Sequence, residues 1–267
     1  MINHEARAFK AWNILVGLAP HGRLITYEEL AEQLETHARA DRFVLELIQK
    51  YCMENILPPL TILVVNKQTN QPGAGFIAWN HDNLVEGRAG VRNHDWAKES
   101  NPFFFAADGT TSDELIERIL VSPVTSAAVY ARVKVRGVQQ TIFRQALLRA
   151  YEGRCAFSGI SFSETLDAAH IIPWSHCASD LRMNPRNGIL MLCSHHRLFD
   201  LGLLSVDEEY RIVFNNKKSH TLGSADQSFV AALHGKQIAL PSDEALWPDK
   251  ELIRRRNDRL VSHSDMD

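Results

Sequence analysis

The sequence lacks three patterns that would each place the protein in a broad class. Its four cysteines, Cys52, Cys155, Cys177 and Cys193, include no C-x-x-C pair, which argues against a zinc ribbon and against a disulfide framework. No apolar run approaches the roughly 18 residues of a membrane helix, and no charged and then apolar leader begins the chain. We therefore expect a soluble, cytoplasmic protein with no membrane partner.

A strong positive charge is missing as well. The chain has 29 basic and 32 acidic residues, so its net charge of −3 gives no support to nucleic-acid binding. Any such surface must come from local clustering of charge. With 267 residues, of which 45% are hydrophobic, the chain can form one large core or two modest ones.

The N-terminal third has a readable order of elements. Thr26 followed by Glu29 has the pattern of a capping box, which predicts a short helix. Apolar spacing and β-branched runs predict the other elements. The predicted helices cover Ala6–Leu18, Tyr27–Leu34 and Ala40–Glu54, and the predicted strands cover 60–65 and 76–79. Three helices and a β-hairpin predict a winged-helix-like domain that recognises DNA or a partner. A small α+β domain without a ligand stays open as an alternative.

The segment from His21 to Ala31, His-Gly-Arg-Leu-Ile-Thr-Tyr-Glu-Glu-Leu-Ala, resembles the entry to the helix-turn-helix of alkylguanine-DNA alkyltransferases. The Pro-Cys-His-Arg active-site motif of that family is absent, because Pro58-Pro59-Leu60 follows the third predicted helix. The resemblance therefore implies DNA docking and does not imply alkyl transfer.

Basic residues cluster between positions 132 and 154, where Glu152 is the one acid. Phosphate contacts dominate affinity for DNA, so a local excess of arginine matters more than net charge. A solvated helix face is the alternative explanation of such a cluster. Because the cluster directly precedes the motif described next, we predict DNA contacts for Arg136, Arg144, Arg149 and Arg154.

Two segments carry the chemistry: 166–174, Leu-Asp-Ala-Ala-His-Ile-Ile-Pro-Trp, and 184–200, Asn-Pro-Arg-Asn-Gly-Ile-Leu-Met-Leu-Cys-Ser-His-His-Arg-Leu-Phe-Asp. Their pattern predicts a strand that ends by Pro173, a polar loop, a strand over 188–192 and a helix that begins near Ser194. From about Gly137 to Phe214 the chain resembles the HNH endonucleases, in the branch whose first motif reads Ala-Ala-His-Ile. Residues 233–241 resemble an extension that is often attached to this branch.

The resemblance implies three catalytic residues. His170 is the general base that takes a proton from water, Asn187 holds the loop and orients that base, and His196 is a metal ligand on the helix. We choose His196 over His195 because the interval from Asn187 to His196 is that of the family. His195, one residue earlier on a helix, points about 100° away.

The metal shell is expected to be thin. Asp200 lies four residues after His196, so it shares a helical face with His196 and is the second predicted ligand. A salt bridge from Asp200 to an arginine is the alternative. Many HNH enzymes have a ligand just before the base, but here that position is Ala169. The cation must therefore rely on His196, Asp200, phosphate oxygens and water, or on another carboxylate such as Asp167. Mg²⁺ is the expected cation, with Mn²⁺ and Ni²⁺ as alternatives.

These observations predict an α+β protein with a winged-helix-like domain at 1–109, a helix and linker at 110–131, an HNH nuclease domain at 132–241 and a C-terminal extension at 242–267. The predicted function is metal-dependent, restriction-like cleavage of double-stranded DNA, dependent on sequence or on base modification. A nonspecific effector or toxin nuclease and a non-cleaving DNA-binding regulator with a degenerate finger are the alternatives. Such fingers often act in pairs, so a homodimer is compatible with the sequence, which does not fix it. Arg254, Arg255 and Arg256 either contact DNA or form a solvated helix end, and we favour the second.

Overall fold

The computed structural model describes residues 2–215 and 222–264, with side chains up to residue 260. Residues 216–221 of the predicted nuclease domain and residues 265–267 of the predicted extension lie outside the described residues. The chain forms two compact units. The first comprises Met1–Glu114 and Val133–Val138, and the second comprises Leu115–Arg132 and Gln139–Asp267. The four predicted domain ranges stay predictions.

The chain is a mixture of helices and short two-stranded sheets, in agreement with the predicted α+β class. The helices are α1 (His4–Leu18), α2 (Tyr27–Gln33), α3 (Ala38–Glu54), α4 (Leu84–Asn93), α5 (Ser112–Val121), α6 (Ser126–Arg132), α7 (Arg136–Ala150), α8 (Cys193–Asp200), α9 (Ser224–Leu233) and α10 (Lys250–Ser264). The strands are β1 (Ile25–Thr26), β2 (Val64–Val65), β3 (Leu166–His170), β4 (Gly188–Leu192), β5 (Leu204–Val206) and β6 (Ile212–Phe214). None of the described helices is long and apolar enough to cross a membrane.

In the first unit, the three predicted helices are present as α1, α2 and α3. The capping box is formed at the start of α2: the Thr26 hydroxyl accepts from the Glu29 backbone N–H at 3.2 Å, and the Glu29 carboxylate accepts from the Thr26 N–H at 2.8 Å. Buried side chains of α1 and α3, with Trp12 among the largest, form the core of this unit.

The predicted β-hairpin is wrong. Residues 60–63 form a 3-10 turn, and the short β2 that follows pairs in parallel with β1. Residues 76–79 form no strand, because side-chain contacts from α3 replace strand pairing there. Gln49 accepts from the Ile77 backbone N–H at 2.8 Å and donates to the Gly75 carbonyl at 3.3 Å. Backbone groups that are satisfied by a side chain do not need a neighbouring strand.

The second unit contains the predicted order of strand, loop, strand and helix as β3, β4 and α8. β3 and β4 are antiparallel, and His170 at the end of β3 is opposite Gly188 at the start of β4. A Cβ atom at Gly188 would lie 2.6 Å from side-chain atoms of both Phe143 and Leu147. The absence of a side chain at this position therefore lets α7 pack directly against the hairpin next to His170.

The C-terminal helix α10 does not have the fully solvated basic end that the sequence favours. Arg254 and Arg255 are exposed, but Arg256 is only 6% exposed. Arginine has an apolar stem, and its charged head can bind backbone carbonyls, so burial is tolerated where such partners exist. The interpretation of this segment as a solvated helix end is therefore wrong for Arg256.

Candidate active site

A cleft of about 370 Å³ in the second unit brings together residues from α7, from β3 and the loop that follows, and from α8. Its walls combine aromatic and aliphatic side chains with basic, acidic and imidazole groups. The lining residues are Gln140, Phe143, Arg144, Asp167, Ala168, His170, Pro173, Trp174, His196 and Asp200.

His170 contacts Phe143, Trp174 and the backbone of Arg182 in this cleft. Its ring stacks on that of Phe143, with the centroids 4.2 Å apart and the planes at 16°, and it meets Trp174 edge-on at 5.7 Å. Its Nε2 lies 3.0 Å from the backbone carbonyl oxygen of Arg182. A carbonyl only accepts, so this contact assigns the proton of the neutral ring to Nε2 and leaves Nδ1 as the basic nitrogen.

Asn187 does not line the cleft. It is completely buried, and its side chain binds the backbone of the loop that follows His170. Its Oδ1 accepts from the Ile172 N–H at 2.8 Å, and its Nδ2 donates to the carbonyls of Ile172 at 3.3 Å and Leu181 at 3.2 Å. The backbone carbonyl of Asn187 also accepts from the Ile171 N–H at 2.9 Å. These contacts connect the residues just after the predicted base to the start of β4.

His196 lies between two carboxylates. Its Nδ1 is 3.1 Å from Asp167 Oδ2, and its Nε2 is 3.4 Å from Asp200 Oδ2. All three side chains are partly exposed and line the cleft together with His170. The structure thus brings together His170, His196 and Asp200 from the predicted site, and Asp167, the further carboxylate that the sequence offered, lies beside them.

Residues 155–207 match a family model described as HNH endonuclease. This segment is an HNH domain. It includes β3, β4 and α8, and with them the two histidines and two carboxylates of the cleft. No curated protein matches the chain.

HNH nucleases generally use a divalent metal ion, and the donors of this HNH domain fit one. With Nδ1 of His196 donating to Asp167, Nε2 is the ring nitrogen that remains for a cation, and Asp200 is the carboxylate beside it. A ligating histidine typically donates its other N–H to a carboxylate, and Asp167 is placed to accept it. Among the described side chains, those of residues 2–215 and 222–260, no group of three or more His, Cys, Asp or Glu residues is arranged to hold a metal ion, so the protein ligands in the cleft are limited to His196 and Asp200.

His195 lies in the core of the second unit and does not line the cleft. It is 3% exposed, and its Nδ1 lies 3.4 Å from the sulfur of Cys155. Burial raises the pKa of Cys155, but hydrogen bonds from His195, Ser158 and the backbone outweigh burial, and the net effect lowers that pKa to about 6. Cys193 is exposed. On α8, His196 thus lies in the cleft, whereas the adjacent His195 is buried in the core.

The four predicted DNA-contacting arginines occupy different environments. Arg144 lines the cleft and donates to the carbonyls of Leu166 at 3.0 Å and Ser163 at 2.6 Å. Arg149 forms an ion pair with Glu117 at 2.7 Å. Arg154 and Arg136 are exposed, and Arg136 is counted with the first unit. Of the four, Arg144 alone is among the cleft-lining residues.

Sequence reasoning missed most of the contacts that hold the two histidines. Phe143 and Trp174 were visible as residues but carried no signal that they flank His170. The carbonyl of Arg182 has no signature in the sequence at all. Asp167 was only one option among the carboxylates, and the structure places its Oδ2 3.1 Å from Nδ1 of His196.

Proposed function

We propose that the protein is a metal-dependent DNA endonuclease of restriction type, in which the HNH domain cuts and the first unit selects the target. One observation carries this proposal: His170 and His196 line the same cleft within the matched HNH segment, the first with a defined basic nitrogen and the second beside two carboxylates. Hydrolysis of a phosphodiester needs these two capacities, a base for water and a site for a cation.

His170 acts as the general base. Its Nδ1 takes a proton from the attacking water, while Nε2–H keeps its hydrogen bond to the Arg182 carbonyl. The oxygen of that water forms a bond to phosphorus, and one ester P–O bond breaks. The departing oxygen leaves with the electron pair of that bond and takes a proton from solvent. Stacking on Phe143 and the edge contact with Trp174 restrict the orientation of the His170 ring. This restriction favours catalysis, because proton transfer requires the base to be aligned with the attacking water.

His196 and Asp200 would hold the cation, and Asp167 would orient the His196 ring. When bound, a divalent cation supplies positive charge that stabilises the charge developing on the phosphate. Arg144 contributes to the same end from the protein. Its guanidinium is fixed by two carbonyls at the rim of the cleft, where a backbone phosphate of DNA can be bound.

The first unit is the proposed selector of DNA. The helices α2 and α3 follow one another after a short turn, as in a helix-turn-helix, and the early part of α3 exposes Arg39 and Arg42. Because the predicted hairpin is not formed, a wing at 60–79 is not part of the proposal. The target, whether a sequence or a modified base, would be read by α3.

The test is incubation of the purified protein with supercoiled plasmid in the presence of Mg²⁺, Mn²⁺ or Ni²⁺. His170→Ala should reduce the cleavage rate by about a hundredfold or more, as expected for loss of a general base. His196→Ala should abolish metal-dependent cutting. His176→Ala is a matched control, because His176 is an exposed histidine of the same loop that does not line the cleft.

The products separate the remaining functions. Discrete fragments, from plasmid that carries or lacks base modification, support restriction. A smear supports a nonspecific effector nuclease. Absence of cleavage with every metal and DNA, together with tight DNA binding, supports a regulator and contradicts the proposed enzyme.

A further inference from the structure

We infer that Arg256 of α10 is a positioning residue that fixes the general-base segment and the metal-ligand helix of the HNH cleft relative to each other. This inference rests on the proposed nuclease function, and it extends the active site beyond the matched residues 155–207. A segment that sequence reasoning left without a role then becomes part of the catalytic unit.

The guanidinium of Arg256 joins the ends of two active-site elements. Its Nη1 donates to the Ile171 carbonyl at 3.0 Å, and its Nη2 donates to the Phe199 carbonyl. Its Cζ lies 3.6 Å from the centroid of the Phe199 ring, so the fork is also held by a cation–π contact. Ile171 and Phe199 are 85 and 57 residues away from Arg256 along the chain. Both hydrogen bonds are therefore long-range contacts that α10 makes to other elements of the fold.

The two carbonyls are those adjacent to the reacting groups. Ile171 directly follows His170, the proposed base, and Phe199 directly precedes Asp200, a proposed ligand. Because the planar guanidinium of Arg256 binds both carbonyls, it sets the distance between the backbone at Ile171 and the backbone at Phe199. Displacements of about 1 Å at such positions can lower a rate by about a hundredfold.

A role in packing alone does not explain the choice of an arginine. Burial lowers the pKa of Arg256 to about 10, while the nearby Asp200 opposes this shift, so the group stays charged at neutral pH. Burying a cation is unfavourable, and apolar residues of similar volume often replace buried ion pairs without loss of stability. A guanidinium adds what an apolar side chain cannot: two directed hydrogen bonds that fix both carbonyls.

The experiment compares wild type with Arg256→Met, Arg256→Lys and Arg255→Met in the full chain. Methionine keeps the buried stem and removes the fork, whereas lysine keeps the charge and one set of donors. Arg255→Met is the matched control, since it removes the same charge from an exposed position of the same helix. For each variant we measure cleavage kinetics, with rates normalised to the folded fraction. We also measure Mn²⁺ binding, from the electron paramagnetic resonance of free Mn²⁺, and hydrogen exchange of peptides covering 166–172 and 196–201.

We expect Arg256→Met to lower kcat by about 10- to 100-fold and to weaken Mn²⁺ binding by about tenfold. KM for DNA should stay within about twofold, because substrate contacts are untouched. Exchange should rise in both peptides, lysine should recover part of kcat, and Arg255→Met should behave as wild type. A purely structural residue would change the folded fraction and leave kcat and Mn²⁺ binding of the folded molecules unchanged.

The inference is overturned if folded Arg256→Met or Arg256→Lys has wild-type kcat and wild-type Mn²⁺ binding. It is also overturned if neither variant folds, since Arg256 would then serve folding only. If wild type itself does not cleave DNA, the proposed function fails. Mn²⁺ binding and the two exchange rates then still decide whether Arg256 organises the site.

Discussion

Replacement of Asn187 by alanine tests whether one buried amide holds the loop of the nuclease domain. The side chain makes three hydrogen bonds to backbone groups, and it is inaccessible to water. In Asn187→Ala, the N–H of Ile172 and the carbonyls of Ile172 and Leu181 lose these partners inside the protein.

The expected cost follows from those groups. A buried donor or acceptor left without a partner costs about 1–3 kcal/mol. The N–H of Ile172 can donate only one hydrogen bond, so the loss of its partner should cost the full free energy of an unsatisfied buried donor. Each of the two carbonyls should add a smaller cost. We expect the free energy of unfolding of the second unit to fall by about 3 kcal/mol, against a usual total of about 5–15 kcal/mol.

The assay is urea unfolding followed by hydrogen exchange of peptides covering 166–192, which reports this unit separately from the first. The matched control is Asn184→Ala. Asn184 is in the same loop, but its side chain makes one exposed contact to the Arg186 N–H at 3.0 Å, so about 1 kcal/mol or less is expected. A loss below about 1 kcal/mol for Asn187→Ala, or equal losses for both variants, would refute the reasoning.

Three further predictions concern other residues. Gly188→Ala should destabilise the second unit by about 2 kcal/mol, because its Cβ would lie 2.6 Å from Phe143 and Leu147 atoms. An unchanged melting temperature would contradict this packing argument. Asp41 is fully buried, and burial raises its pKa from 3.8 to about 6, so the folded state takes up a proton that the unfolded state releases. The stabilisation of the folded state by this bound proton is complete below about pH 4 and is lost as the pH rises through about 6. In urea titrations, Asp41→Asn should therefore stabilise the first unit by about 2 kcal/mol at pH 8 and hardly at pH 4. A gain in stability that does not depend on pH would argue against this. Asp167→Asn should weaken Mn²⁺ binding by about tenfold in calorimetric titrations, as expected for a carboxylate that orients a ligand; unchanged affinity would remove Asp167 from the site.

The parts of the fold that the sequence predicted are those determined by neighbouring residues. Thr26 and Glu29 form their capping box within a single turn, and α2 follows from it. The segment 188–192 is a continuous apolar run of strand length, Ser194 is typical of the start of a helix, and the structure has both elements. Local hydrogen bonding and periodicity were sufficient there.

The predicted hairpin failed because distant residues decide the conformation of 60–79. The β-branched run at 60–65 is compatible with a strand, but only Val64 and Val65 find a partner, and that partner is β1. Farther along, Gln49 of α3 satisfies the backbone around Ile77. Neither contact can be inferred from the residues of the segment itself.

The site divides in the same way. The motif pointed to His170 and His196, which the structure places in one cleft. The contacts that fix them come from backbone carbonyls and from remote helices: Arg182 O for His170, and Arg256 for the segments beside His170 and Asp200. A backbone carbonyl is present at every position, so a sequence carries no mark of the one that is used.

The position of His196 between Asp167 and Asp200 has a consequence for how DNA reaches the proposed site. Two carboxylates face the proposed position of the phosphate, so without a cation they oppose the attraction that Arg144 exerts on the substrate from the rim of the cleft. A divalent cation held there reverses the local field, and linkage requires DNA and cation each to raise the affinity of the other. The proposed enzyme would therefore discriminate between cation-rich and cation-poor conditions already at the binding step, before any bond is broken.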